Sequence, residues 1–216
     1  MKNPDEFVVI MLAFFLAQML WHTKAVYPVK LLVTLLHETG HALASTITGM
    51  KVQRIEVNKD LSGVAYSGCS IFTLNAGPLG SIALGFLIFW IPYTGLPFPL
   101  VLIGALILLV TVMWVKNGFG MISSVCICAA LIAMGFIENG PVSSFIAKFL
   151  GVCSVLYTFL GNRAYYQVLG KQPEGESDAE MLQQITHIPA KFWVLGWQVA
   201  SLLTLFLMAK VALGWW

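Results

Sequence analysis

Long apolar runs without a charged residue alternate with short polar stretches along the chain. Four of them are FVVIMLAFFLAQMLW (7–21), IALGFLIFWI (82–91), LVLIGALILLVTVMWV (100–115) and FWVLGWQVASLLTLFLMA (192–209). A helix needs about 20 mostly apolar residues to cross the hydrocarbon core of a bilayer. The pattern predicts spanning helices at 7–22, 27–49, 71–92, 98–115, 120–137, 142–160 and 190–213. Because Lys148 lies inside the sixth segment, six or seven spans are expected.

Residues 51–66 (KVQRIEVNKDLSGVAY) depart from this pattern and alternate in polarity. On an extended strand, one face would carry Val52, Arg54, Glu56 and Asn58, and the other Gln53, Ile55 and Val57. The stretch NKDLSG supplies turn residues, and VAY can form a return strand. We predict a small β-hairpin at the cytoplasmic surface; an ordinary polar loop is the alternative.

Composition supports a membrane protein. The 216 residues are 58% hydrophobic and 10% charged, with a mean hydropathy of +0.83, whereas soluble domains are about 25% charged. The longest polar stretch, about 161–189, is too short for a soluble domain. We predict a single all-α polytopic membrane domain over 1–216. The net charge of +2, without a basic stripe, gives no indication of nucleic-acid binding.

The distribution of cations predicts the orientation of the chain in the membrane. If residue 1 is cytoplasmic, the cytoplasmic side holds Lys2, Lys51, Arg54, Lys59, Lys116, Arg163, Lys171 and Lys191, and the other side holds Lys24, Lys30, Lys148 and Lys210. Cytoplasmic loops carry an excess of Lys and Arg, so we expect a cytoplasmic N-terminus.

The first apolar run follows no basic segment and is not interpreted as a cleaved signal. The four cysteines lie in or beside apolar segments and are interpreted as small buried residues, since none is spaced as CxxC.

His37, Glu38 and His41 form an HExxH sequence within the apolar segment 27–49. Four residues advance a helix by about 400°, so the two imidazoles lie about 40° apart on one face and can bind one zinc ion. Glu38 lies near such an ion and can accept a proton from zinc-bound water as a general base. Ionisable residues inside a membrane helix usually indicate function; the alternative is two histidines bonded to neighbouring carbonyls.

A zinc protease of this plan needs a third protein ligand. The chain has three aspartates, Asp5, Asp60 and Asp178, and topology favours Asp178, just before the last apolar segment. The alternative is structural, since Ser177 and Glu180 form a capping box in which Asp178 would only favour the helix N-terminus. His187 and Glu180 are the next candidates, and His22 is expected on the opposite side.

Four stretches resemble the M50 family of zinc intramembrane metalloproteases, the site-2 proteases, and most closely its M50B-like branch. They are LLHETGHALASTITG (35–49), LNAGPLGSIALGFLIF (74–89), WVKNGFG (114–120) and SDAEMLQQITHIPAKFW (177–193). The resemblance implies that His37 and His41 bind zinc and that Glu38 is the catalytic base. The chain lacks the LDG motif of site-2 proteases, and its SDA stretch instead implies Asp178 as the third ligand.

The stretch NAGPLGS resembles the AGPLxN segment of the same family. The resemblance implies that Gly77 and Pro78 break or kink the helix near the site, and that Asn75 hydrogen-bonds a bound peptide. Close packing of Gly77 and Gly80 against another helix is the structural alternative. Ser81 stands where the family usually has Asn, so the role of that Asn is not transferred.

The expected function is therefore zinc-dependent endopeptidase activity on transmembrane segments of other proteins within the lipid bilayer. Because a helix hides its carbonyls, the substrate must unwind, and an exposed edge of the hairpin 52–66 can hold it as an added strand, with Ile55 as a substrate contact. One alternative is a non-proteolytic M50-like protein that binds transmembrane helices or partners, with structural zinc or none. A metal transporter is a further alternative, although no chain of ionisable residues crosses the segments. Substrate identity and oligomeric state are not predicted.

Overall fold

The computed structural model describes residues 4–21, 23–168 and 177–215, which contain eight α-helices and one two-stranded sheet. The helices are α1 Pro4–Leu20, α2 Tyr27–Ile47, α3 Ile71–Trp90, α4 Pro99–Trp114, α5 Gly118–Ile137, α6 Pro141–Val168, α7 Asp178–Thr186 and α8 Ala190–Leu213. Single 3₁₀ turns, Lys24–Val26 and Ile91–Thr94, precede α2 and follow α3. Each of the seven predicted apolar segments contains one helix, and α7 lies in the predicted polar loop.

Local sequence explains several helix ends. Helices α2 and α4 each have a proline in the first turn. Proline has no backbone N–H, and at this position none is needed, because N–H groups of the first turn have no partner within the helix. Ser70 and Thr73 cap α3 reciprocally. Pro78 lies inside α3, which continues to Trp90, so of the expected break or kink at Gly77–Pro78 the break is not observed.

Four helices are long and apolar enough to cross a membrane: Ile71–Thr94 with its 3₁₀ extension, Gly118–Ile137, Pro141–Phe159 and Ala190–Leu213. Glu6–Leu20 and Lys24–Ile47 qualify together as a pair bent by 113°, which makes up to five, and Pro99–Trp114 is apolar but shorter. These helices identify a multi-pass membrane protein. Among the described residues, the predicted count of six or seven is not reached, because the first two segments form one bent pair and α4 has 16 residues.

The outward faces of the helices carry large apolar side chains. On α8 they include Phe192, Leu195, Val199, Leu202, Leu203, Phe206 and Leu207, and on α1 Val8, Leu12, Phe15 and Met19. Soluble monomers rarely expose contiguous apolar patches of this kind, so these faces suit lipid contact.

The predicted hairpin is present. Strand β1 (Arg54–Val57) pairs antiparallel with β2 (Gly63–Tyr66), with Ile55 opposite Ala65 and Val57 opposite Gly63. Ile55 and Val57 are buried while Arg54 and Glu56 are partly exposed, so the alternation read from the sequence is confirmed. The hairpin packs on α2 and on the junction of α4 and α5.

Helix α3 lies at the centre of the bundle, where it contacts α2, α6, α7 and α8. Its approach to α2 is close: a Cβ on Gly80 would lie 2.6 Å from the Cα of Gly40. The predicted packing of Gly80 against another helix is thus observed, and it brings the face of α3 that contains Gly77 against the HExxH face of α2.

Lys148 is buried within α6 and forms an ion pair. Its Nζ lies 2.6 Å from Glu6 Oε2 of α1, and the Tyr93 hydroxyl donates to the same oxygen at 2.9 Å. A buried cation next to a carboxylate and an aromatic hydroxyl can be accommodated inside an apolar bundle. Through these contacts, Glu6 connects α1 to Lys148 of α6 and to Tyr93, which follows α3.

Candidate metal centre and active site

Three ligand side chains from two separate helices converge at one point. His37 Nε2 lies 3.0 Å from Asp178 Oδ2, His41 Nε2 lies 3.4 Å from Asp178 Oδ1, and the two Nε2 atoms are 3.2 Å apart. His37 and His41 lie one turn apart on α2, and Asp178 is the first residue of α7. The structure thus brings together the three residues proposed from the sequence as ligands, across 137 residues of chain.

The spacing of these side chains suits one metal ion. Tetrahedral zinc with N and O ligands at about 2.0–2.1 Å holds its ligand atoms about 3.3–3.4 Å from one another. The two Nε2 atoms are 3.2 Å apart and lie 3.0 and 3.4 Å from different oxygens of Asp178, and with one ligand atom from each residue all three lie within 4.8 Å of one another. Two imidazoles and one carboxylate are also a donor set that zinc uses in catalytic sites, where a fourth position stays open. The residues present therefore fit zinc.

A backbone carbonyl fixes the tautomer of His41. Its Nδ1 lies 2.7 Å from the Thr73 carbonyl oxygen of α3, so Nδ1–H donates to that oxygen. In the neutral ring the lone pair then lies on Nε2, which faces Asp178 and is the atom available to a metal. Histidine ligands in metal sites usually have such a partner on the second nitrogen, which orients the ring and raises its basicity.

The absence of a side chain at Gly77 leaves room for the cluster. A Cβ at this position would lie 2.3 Å from His41 Nε2 and 2.6 Å from His37 Nε2. The space between the two nitrogens is therefore one that a single methyl group of α3 would fill. Gly77 thus serves the site, whereas Gly80, one turn further, serves the contact between α2 and α3.

Helix α7 holds Asp178 by a cap at its start and by an apolar face. Ser177 Oγ accepts from the Glu180 N–H, and the Ser177 N–H donates to Glu180 Oε2 at 2.8 Å. Ala179 and Leu182 are buried against α3 and α8. Burial raises the pKa of the Asp178 carboxyl, but its hydrogen bonds and charge interactions with the two histidines outweigh this effect and hold the pKa well below its ordinary value. The carboxylate is therefore ionised and available as a ligand.

Glu38 follows the first histidine and lies against strand β2. It is 5% exposed, and the Ala65 backbone N–H is directed at its carboxylate. A Cβ on Gly63 would lie 2.6 Å from Glu38 Oε1, so glycine at that strand position permits the contact. The carboxylate thus lies between the metal ligands and the hairpin.

The three side chains that can bind a metal and the Glu38 carboxylate line a cavity of about 500 Å³. His37, Glu38 and His41 form one wall, and the outer edge of β2 forms another. The remaining walls come from α3, α6, α7 and α8 and include Leu74, Pro78, Tyr157, Thr158, Met181, Val194 and Trp197. The arrangement combines a metal-ligand set, a buried carboxylate and an elongated polar edge in one apolar-walled space.

The family model described as Peptidase M50B-like matches residues 8–208. The match covers most of the chain, including His37, Glu38, His41 and Asp178. This protein belongs to the M50B-like peptidase family. No curated protein and no solved structure gives a significant match to the chain.

Two residues suggested as substrate contacts do not line the cavity of this M50B-like protein. Asn75 uses its carboxamide within the fold: Nδ2 donates to the Ile71 carbonyl at 2.8 Å, and Oδ1 accepts from Trp197 Nε1 at 2.9 Å. Ile55 is fully buried, and its carbonyl accepts from the Lys116 N–H at 3.1 Å. The edge of the hairpin at Ile55 is thus closed, contrary to the expectation of an exposed edge there.

The other ligand candidates have different places. Glu180 takes part in the capping box, His187 ends α7 in a left-handed conformation with φ of 59°, and Asp60 accepts from Ser62 in the hairpin turn. His22 lies outside the described residues. The sequence analysis missed two backbone contributions to the site: the Thr73 carbonyl, which binds His41, and the edge of β2 along the cavity. No side-chain motif indicates either of them.

Proposed function

We propose that this M50B-like protein is a zinc-dependent endopeptidase that hydrolyses peptide bonds in or near transmembrane segments. The observation that carries the proposal is the convergence of His37, His41 and Asp178 at zinc-ligand spacing, beside the buried carboxylate of Glu38. The surrounding helices are those of a multi-pass membrane protein, so the substrate is expected to reach the site from the bilayer.

The chain supplies the following groups to the reaction. A Zn²⁺ ion held by His37, His41 and Asp178 would polarise the scissile carbonyl and acidify a water molecule. Glu38 accepts the proton of the attacking water and returns it to the leaving amine as a general base and acid. The Thr73 carbonyl keeps the His41 lone pair on Nε2 throughout, because Nδ1 stays protonated.

The open edge of β2 suits an extended peptide. Ile55 and Val57 direct their backbone groups away from β2, towards residues 116 and 117. Because opposite residues of an antiparallel pair share this direction, Ala65 and Gly63 direct their backbone groups to the outer edge, beside Glu38. The Ala65 N–H is directed at Glu38, and an unwound substrate segment can add to the other backbone groups of this edge as a strand. The docking strand of the proposal is therefore β2, and not the edge at Ile55.

We also propose that the end of the bundle that carries the hairpin is cytoplasmic, and with it the N-terminus if α1 and α2 cross the membrane separately. Lys51, Arg54, Lys59 and Lys116 lie at one end of the bundle, around the hairpin and the start of α5. This cluster follows the bias of cytoplasmic loops towards Lys and Arg. Labelling of Lys59→Cys in sealed, right-side-out vesicles with a membrane-impermeant maleimide tests the orientation, in a background without Cys69 and Cys126. Labelling before permeabilisation would contradict it.

The decisive experiment compares wild type with Glu38→Gln in detergent. Zinc is measured by elemental analysis, and hydrolysis with a dye-labelled single-span peptide whose central Gly-Gly pair weakens its helix. Zinc in both proteins, with hydrolysis reduced about 10²- to 10⁴-fold in the variant, is expected. Glu138→Gln is the matched control, because Glu138 binds the Ser143 N–H away from the cavity. Equal hydrolysis by Glu38→Gln, or a wild type without zinc, would reject the protease. Zinc in both without hydrolysis in either would favour the non-proteolytic alternative.

A further inference from the structure

Asn117 stands at the N-cap of α5 but does not cap it. Asn at this position usually accepts a hydrogen bond from the first turn of its own helix; here the side chain makes no such bond. Its carboxamide instead pairs with the backbone of Val57 in β1. Oδ1 accepts from the Val57 N–H at 3.1 Å, and Nδ2 donates to the Val57 carbonyl at 2.7 Å.

This pairing closes the second edge of β1. The Lys116 N–H donates to the Ile55 carbonyl at 3.1 Å, and Val115 forms a parallel bridge with Ile55. Together, residues 115–117 act as a short third strand on the side of β1 that faces away from β2. Gly120 leaves room for it, since a Cβ there would lie 2.3 Å from Asn117 Oδ1.

Two contacts connect this pairing to the catalytic base. Val57 pairs directly with Gly63 in β2, and Gly63 lies against the Glu38 carboxylate. The turn of the hairpin is bonded to α2 as well, through the Tyr27 hydroxyl to the Lys59 carbonyl and the Thr34 hydroxyl to the Leu61 carbonyl. Loss of the Asn117 pairing would therefore loosen the Val57–Gly63 end of the hairpin without releasing it entirely.

We propose that Asn117 is a positioning residue, whose pairing with Val57 holds the outer edge of β2 beside Glu38 and the metal ligands for substrate docking. The consequence for hydrolysis rests on the proposed peptidase function; the consequence for peptide docking does not. If the edge is in place only a fraction of the time, the apparent affinity for the peptide falls to that fraction of its intrinsic value. Peptide that has bound holds the edge in place, so turnover of the bound peptide is unchanged.

The test compares Asn117→Leu with wild type. Leucine has about the same size but has neither the acceptor for the Val57 N–H nor the donor to the Val57 carbonyl. We expect amide exchange at Val57 to become at least tenfold faster, while exchange in α2 and zinc content stay unchanged. Gly120→Ala, which crowds the same carboxamide, should act in the same direction. Gly118→Ala, with no atom within 4 Å of the added carbon, and Asn139→Ala, which removes an Asn–backbone bond at another helix junction, are the controls.

Docking and hydrolysis are measured separately. With the dye-labelled single-span peptide, Asn117→Leu in the Glu38→Gln background should raise the Kd at least fivefold relative to Glu38→Gln alone. In the active background, KM should rise by the same factor with kcat within twofold. A purely structural role would instead lower the amount of active protein, reducing kcat at constant KM.

The outcomes are distinguishable. An unchanged Kd, unchanged exchange at Val57, or no binding of the peptide to Glu38→Gln would overturn the role of Asn117. Peptide binding that depends on Asn117, without hydrolysis by wild type, would leave the positioning role intact and reject the peptidase function.

Discussion

Substitution of Gly77 by alanine should abolish metal binding with little disturbance elsewhere. The added Cβ would lie 2.3 Å from His41 Nε2, whereas ordinary van der Waals contact begins at 3.4 Å, so the ring or the helix must move by about 1 Å. Metal ligands tolerate displacements of about 0.2 Å. Changes that merely disturb the partners of zinc ligands cost about 10- to 100-fold in affinity, so a loss of at least about 100-fold is expected.

The sign of the stability change separates this effect from a general packing defect. Gly→Ala inside a helix by itself favours the helix by about 1 kcal/mol, so lower stability of Gly77→Ala must come from the contact with the histidines. Zinc affinity is measured by competition with a chromogenic chelator. Gly196→Ala on α8 is the matched control, because no atom lies within 4 Å of its added carbon. Wild-type zinc affinity in Gly77→Ala would refute the placement of α3 against the ligands.

Three further comparisons test elements that support the fold and the site. Glu6→Gln should destabilise the protein by about 3 kcal/mol and Lys148→Met by less, because Glu6→Gln leaves the more deeply buried Lys148 charged beside the Tyr93 ring without an anionic partner; equal unfolding free energies in denaturant titrations would contradict this. Ser177→Ala should cost about 1 kcal/mol in the capping box and weaken zinc binding several-fold, since this helix holds the third ligand; unchanged zinc affinity would show that the cap is irrelevant to the site. Trp197→Phe removes the donor to Asn75 and should lower stability by about 1 kcal/mol with zinc retained, and an unchanged melting temperature would count against that bond.

Placements that follow from residue spacing within one helix or strand could be predicted from the sequence. HExxH in an apolar segment determines a common helix face for His37 and His41, and no tertiary information is needed for that inference. The alternation in 52–58 likewise determined which side chains of β1 are buried. Asp178 was selected among three aspartates by topology and by the resemblance of the SDA stretch, and the structure places its carboxylate beside both histidines.

Features that depend on neighbouring elements could not be predicted in this way. The pattern around Ile55 shows which face of β1 is buried but not which edge is open, since residues 115–117 close that edge from a distant part of the chain. Pro78 was expected to interrupt α3, but tertiary packing can hold a helix through a proline. Hydropathy located the apolar segments but not the sharp bend between α1 and α2, which lowers the number of spans.

The position of Asp178 resolves how a carboxylate reaches histidines inside an apolar bundle. An aspartate in the middle of a spanning helix would be costly. Here it stands in the first turn of α7, a nine-residue helix outside the candidate spans, so only the start of a capped polar helix has to approach the histidines. The side chain of Asp178 is 20% exposed and that of His37 is 23% exposed. The cluster is therefore open to the cavity and is not enclosed by apolar side chains and lipid. Placing the proposed third ligand on a separate short helix therefore avoids a charge within a span and leaves the site accessible to water, which the proposed hydrolysis requires.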